Sequence, residues 1–253
     1  MTANGNAAAS SQKSNFYSGS FYFDGNGDYL STPDSTDWHL GTSEFTIECF
    51  IRKTANGTNN YDAAIATGVN GSYHDGWSFL TSTGDDAFRT SDGSTGYGLD
   101  FNNNSFTTDG KWHHIAVSRD SSNVARLFLD GIIQDEETWN FSIPDSSTPL
   151  YVGAQILDPG SVTFSFNGYI QDVRLYHICK YTENFIPAST DPDVMLDTPF
   201  GVSYETDYPE PTAGAVVFSG SSGAAAASNY LSLIHISEPT RPLYISYAVF
   251  CLK

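Results

Sequence analysis

Residues 45–52 read Phe45-Thr46-Ile47-Glu48-Cys49-Phe50-Ile51-Arg52, and this octet decides the fold. Successive side chains of an extended chain point to opposite faces. Phe45, Ile47, Cys49 and Ile51 then make one wholly apolar face, while Thr46, Glu48, Phe50 and Arg52 make the other. The first face belongs in a core. The mixed polar and aromatic second face predicts a sheet that is only partly covered on that side.

The same grammar repeats on either side. Downstream, Asn56-Gly57 marks a turn, and Asp109-Gly110-Lys111 leads into a second strand at His113–Ser118. Val124–Leu129 ends at Asp130-Gly131 and forms a hairpin with it, closed near 120–123. Further strands read at Leu150–Gly153 and Tyr169–Tyr176. Upstream, Phe21-Tyr22-Phe23, the turn residues 24–28 and Tyr29-Leu30 give strand, turn, strand. No stretch sustains an apolar period of 3.6 residues, so the chain reads as all-β.

Composition bounds the function. A formal net charge of −18 argues against nucleic acid, which needs a basic surface, and against anionic membranes. No run approaches the roughly 20 apolar residues of a membrane span. Three cysteines, Cys49, Cys179 and Cys251, supply no disulfide framework. No signal peptide is visible in the small, polar N-terminus. Residues 1–15 read as a flexible leader, 16–190 as one domain, and the proline-bearing stretch 191–213 as a linker. Residues 214–230 echo Phe21–Ser31 and read as the start of a truncated second copy. The tail 231–253, LSLIHISEPTRPLYISYAVFCLK, resembles a translated transposase-type sequencing adapter and is set aside from fold reasoning.

Five boxes together resemble the laminin-G-like, concanavalin A-like lectin/glucanase jelly-roll family, whose repeats are common in phage tails and bacterial surface proteins. They are FDGNGDYL (23–30), LGTSEFTIECFI (40–51), DGKWHHIAVSRD (109–120), RLFLDG (126–131) and FNGYIQDVRLY (166–176), in the family's order. The resemblance implies a two-sheet antiparallel β-sandwich. It implies that Trp38 and Trp112 fill the space between the sheets and that Trp77 is core. It also implies that Cys49 lacks the disulfide partner seen in pentraxin-like relatives, leaving Cys49 and Cys179 free. Relatives hold calcium at the sandwich rim through carboxylates and carbonyls. Asp62, Asp75 and Asp158 are the candidate ligands here, with Asp85 and Asp86 also on loops.

Catalytic signatures are missing. The glucanase relatives carry Glu-x-Asp-x-x-Glu on one strand, and no such string occurs; nor does a Gly-x-Ser-x-Gly elbow, a His-Glu-x-x-His pair or a phosphate loop. His113 and His114 are adjacent on a strand, so they face opposite ways and cannot readily share a metal. Sugars are held by aromatic platforms with a few convergent polar groups. Tyr73, His74 and Trp139, in turn-rich segments, are the candidate ligand-binding residues. The sequence thus predicts a non-catalytic module, extracellular or virion-associated, that contacts glycans or neighbouring structural subunits. A pure spacer and a polysaccharide depolymerase are the alternatives.

Overall fold

The computed structural model describes residues 1–15, 19–57, 61–67, 75–82, 87–102, 108–158, 161–187, 202–205 and 215–218. Its strands in chain order are β1 (Thr2–Asn4), β2 (Ala8–Ser10), β3 (Ser20–Asp24), β4 (Tyr29–Thr32), β5 (Phe45–Lys53), β6 (Tyr61–Thr67), β7 (Trp77–Ser82), β8 (Ala87–Ser91) and β9 (Gly96–Asp100). There follow β10 (Trp112–Arg119), β11 (Val124–Leu129), β12 (Ile132–Thr138), β13 (Leu150–Val152), β14 (Ile156–Asp158), β15 (Ser161–Val162) and β16 (Asn167–Tyr176). A single 3-10 turn, Thr36–Trp38, is the helical element among the described residues.

Two seven-stranded sheets form the first compact unit, residues 1–195. Sheet A runs β1-β4-β13-β6-β7-β8-β9 and sheet B runs β12-β11-β10-β5-β16-β3-β2, with antiparallel neighbours throughout. The core between them takes Phe45, Ile47, Cys49 and Ile51 from β5, and Ile115 and Val117 from β10. Sheet A answers with Leu30, Ile65, Trp77, Phe79, Phe88, Leu99 and Val152. The alternation read from the octet therefore holds. Cys49 and Cys179 are both free.

The second face of β5 is covered by residues 177–187, which cross sheet B as a strap. Thr46 Oγ1 donates to the Ile178 carbonyl and accepts from Lys180 N, each at 2.9 Å. Glu48 takes Lys180 Nζ on one carboxylate oxygen and the Tyr181 hydroxyl on the other, both at 2.7 Å. Phe185 stacks on Tyr181 with 3.6 Å between ring centroids. Its N–H donates to the Gly131 carbonyl at 2.9 Å. Gly131 has φ +78°, and a Cβ there would lie 1.9 Å from the Phe185 carbonyl oxygen. Only glycine permits both the turn and the crossing.

Three expectations change. Residues 1–15, read as a leader, lend a strand to each sheet: β1 pairs with β4, and β2 with β3. Their small side chains gave no apolar pattern, but edge strands are held by backbone hydrogen bonds. Trp112 lies on the outer face of sheet B, clustered with Phe50, because it is in phase with His114 and out of phase with Ile115 and Val117. Trp38 and Trp77 are in the core as expected. In the second unit, residues 196–253, β17 (Val202–Glu205) falls inside the stretch read as a linker and pairs antiparallel with β18 (Ala215–Phe218). Residues 219–230 of the supposed second copy and the tail 231–253 lie outside the described residues.

Candidate functional site

Tyr73 and His74 lie outside the described residues. Trp139 is fully buried between the sheets, stacked 6.1 Å from Phe88, and its Nε1 donates to Glu137 at 3.0 Å. Its backbone sits in an irregular segment, but the ring turns inward to fill the core, where no sugar can stack on it. Asp62 also leaves the set of rim ligands. It is wholly buried and stands 2.7 Å from Lys53 Nζ, so a cation of the chain itself already occupies its carboxylate. Burial raises the Asp62 carboxyl above its ordinary range, against the pull of Lys53. Asp75 is half-buried just ahead of β7, and Asp158 closes β14 opposite Ser161.

Among the described residues one trio of His and acidic side chains does converge. His39 Nε2 lies 2.7 Å from Asp145 Oδ1 and 3.3 Å from Asp34 Oδ1, at the rim where the 3-10 turn meets the segment before β13. One nitrogen and two carboxylates suit a borderline divalent ion better than calcium, which takes oxygen ligands. The two neighbouring histidines point apart, as their alternation requires. His113 Nδ1 is 2.7 Å from Asp130 and its Nε2 is 3.1 Å from Asp109, whereas His114 faces Glu48 at 3.4 Å. Burial disfavours the His113 imidazolium, but the two carboxylates outweigh it and raise its pKa above 6.5. Asp130, at the φ +50° position of the Asp130-Gly131 turn, also accepts from His114 N at 2.8 Å. One carboxylate thus ties two of the sequence boxes together.

The open aromatic groups stand on the outer sheet faces. On sheet A, Tyr29 and Tyr151 meet edge to face with centroids 5.8 Å apart. Their neighbours Leu30, Leu150 and Val152 point into the core, so both tyrosines point out and remain half-buried. In register beside them are Asn4, opposite Tyr29, and Ser31, opposite Tyr151. Asn4 Nδ2 donates to Ser31 Oγ at 3.2 Å. Further along the same face Phe164 packs on Ala63, Ala66 and Leu80. The sequence reading missed this group because Asn4 lay in the supposed leader. Tyr29 and Tyr151 alternate with core residues as any strand tyrosine would, and only the strand order β1-β4-β13 brings them side by side.

Two stacked antiparallel sheets with a continuous core between them define a jelly-roll β-sandwich. A profile of the concanavalin A-like lectin/glucanases superfamily matches residues 24–183, and the chain belongs to that superfamily. Among solved structures it is similar to the binding domain of Paraclostridial mosquitocidal protein 1, with TM-score 0.53 and 14% identity over 69% of this chain and 43% of that one. It is also similar to domain 4 of AbnA, an extracellular arabinanase from Geobacillus stearothermophilus, in complex with arabinotriose (TM-score 0.52, 15% identity, 70% of this chain and 77% of that one). A third is the botulinum neurotoxin serotype G binding domain (TM-score 0.51, 13% identity, 71% and 44%). The chain spans less than half the length of the first and third of these structures. Identities this low speak to fold alone. No curated protein matches the sequence.

Proposed function

We propose that the sandwich is a non-catalytic glycan-binding module of a phage tail or extracellular surface protein, with Tyr29 and Tyr151 as its sugar platform. The observation that carries this reading is the pairing of two half-exposed rings with the Asn4 amide and the Ser31 hydroxyl on one face. Aromatic faces take the C–H surface of a sugar, and short polar side chains beside them take its hydroxyls. A domain of similar fold in complex with arabinotriose supports the choice of ligand. The non-catalytic part is supported by the buried carboxylates, which are spent on structure. Glu48 holds the strap, Asp62 holds Lys53, and Asp28 accepts from the N–H groups of Asn6 and Asp24.

The test is an oligosaccharide array probed with the full chain, with and without calcium, and repeated with Tyr151→Ala. Binding that falls about tenfold or more in the variant supports the platform. Binding to no glycan in either condition would leave a spacer and remove the reading. Release of reducing sugar would replace it with an enzyme. The calcium arm asks whether Asp75 and Asp158, the calcium ligands the family resemblance implies, contribute.

A further inference from the structure

The outer face of sheet B carries a row of side chains in register across five strands. Trp112 on β10 is opposite Arg52 on β5, which is opposite Tyr169 on β16, then Tyr22 on β3 and Ala8 on β2. Directly opposed residues of antiparallel strands point to the same side with Cβ atoms about 5 Å apart. Tyr169 packs against the Trp112 and Phe50 cluster, and its ring lies 5.1 Å from that of Tyr22, which is 37% exposed. Arg52 therefore stands between the buried Trp112 and Phe50 rings on one side and the more exposed Tyr169 and Tyr22 on the other.

Its guanidinium is unusual in this molecule. Each of the other arginines among the described residues has polar partners. Arg89 pairs with Asp100 and Arg126 with Asp120 and Glu136. Arg174 pairs with Asp172, and Arg119 is held by the carbonyls of Gly41, Trp139 and Phe141. The Arg52 guanidinium has no ion pair or hydrogen bond among the described residues, and its Nε is shut off from water with no acceptor. In a chain with 29 acidic residues and a net charge of −18, a half-buried arginine without a carboxylate is a group awaiting one.

We infer that Arg52, with Tyr169 and Tyr22, binds the carboxylate of an acidic sugar, the guanidinium gripping the carboxylate while the sugar ring lies on the tyrosines. Guanidinium matches carboxylate in a two-pronged, planar geometry, and surrounding rings lower the cost of holding it still. A side-chain carboxylate of a protein partner would satisfy the charge, but it would have no use for the adjoining run of rings. The inference goes beyond the sugar platform on sheet A by adding a charge-selective site on the other sheet.

The experiment is calorimetric titration of the full chain with tetragalacturonate, sialyllactose and a neutral tetrasaccharide, in low and high salt. The inference expects at least one acidic ligand to bind, more weakly in high salt. Affinity should fall about tenfold or more in Arg52→Gln and in Tyr22→Ala. Arg52→Lys, which keeps the charge and loses the fork, should also weaken binding and guards against misfolding of the glutamine variant. No binding of either acidic ligand, or binding indifferent to both Arg52 variants, overturns it. So does a change of oligomeric state on Arg52→Gln without a change in glycan affinity. Neutral-sugar binding that depends on Tyr151 while the acidic ligands fail would leave the sheet A reading intact and this one refuted.

Discussion

Lys53 Nζ and Asp62 Oδ2 stand 2.7 Å apart with both side chains essentially out of solvent, and they belong to opposite sheets. Lys53 ends β5 in sheet B and also donates to the Thr81 carbonyl on β7 at 2.7 Å, so one ammonium clasps two strands of sheet A. Removing one partner of a buried pair strands the other charge and costs about 3–5 kcal/mol, whereas replacing both with apolar groups is often neutral. Asp62→Ala should therefore lower the urea midpoint severely, and Lys53→Met with Asp62→Leu should recover most of the loss. A double variant no better than the single one would show that the clasp is not an isolated pair.

Glu48 sets the acid limit of the strap. Burial pushes its carboxyl up, but His114 and Lys180 outweigh burial and hold it at about 2, below its ordinary 4.5. A carboxylate depressed in the folded state stabilises above its unfolded pKa, and that stabilisation is lost as pH falls through the folded one. The gain is on the order of 3 kcal/mol. Stability of the wild type should fall between about pH 5 and pH 2, and Glu48→Gln should flatten that slope while lowering stability at pH 7. Unfolding free energies across this range decide it, and equal slopes in both proteins would contradict the latch.

His113 works in the other direction. With its pKa raised by Asp130 and Asp109, its contribution is complete below about pH 6.5 and drains away as pH rises through the folded value. Nuclear magnetic resonance titration should place the ring's midpoint above 6.5, and Asp109→Asn should move it down. A midpoint unmoved by that change would separate Asp109 from the histidine.

Trp139→Ala separates core from platform. Loss of a fully buried indole should cost about 3–5 kcal/mol, with glycan affinity per folded molecule unchanged. Normal stability with binding abolished would put the ring at the surface after all.

Much of the architecture was legible because periodicity reports burial directly. The octet at 45–52 placed four side chains in the core, but its second face, read as only partly covered, is buried at Thr46 and Glu48 under residues 177–187 and at Phe50 against Trp112. What periodicity cannot report is which outer-face residues become neighbours. Tyr29 and Tyr151 are separated by most of the domain and meet through strand order, and the Arg52 row depends on the register of five strands. Trp139 misled for a related reason. Turn-rich backbone suggests exposure, yet a bulky ring beside a turn is free to swing into the interior. Asp62 looked available because its partner Lys53 lies across the sandwich, where local sequence gives no hint of the contact.

The first ten residues also govern how this molecule behaves toward its copies. Three-residue strands of threonine, alanine, asparagine and serine seal one margin of each sheet. Stripped of them, β4 and β3 would bare rows of unmet backbone donors and acceptors, the surface through which β-proteins polymerise. An expression tag that tugs this segment loose should thus promote filaments or strand exchange, even though it touches neither the core nor any sugar.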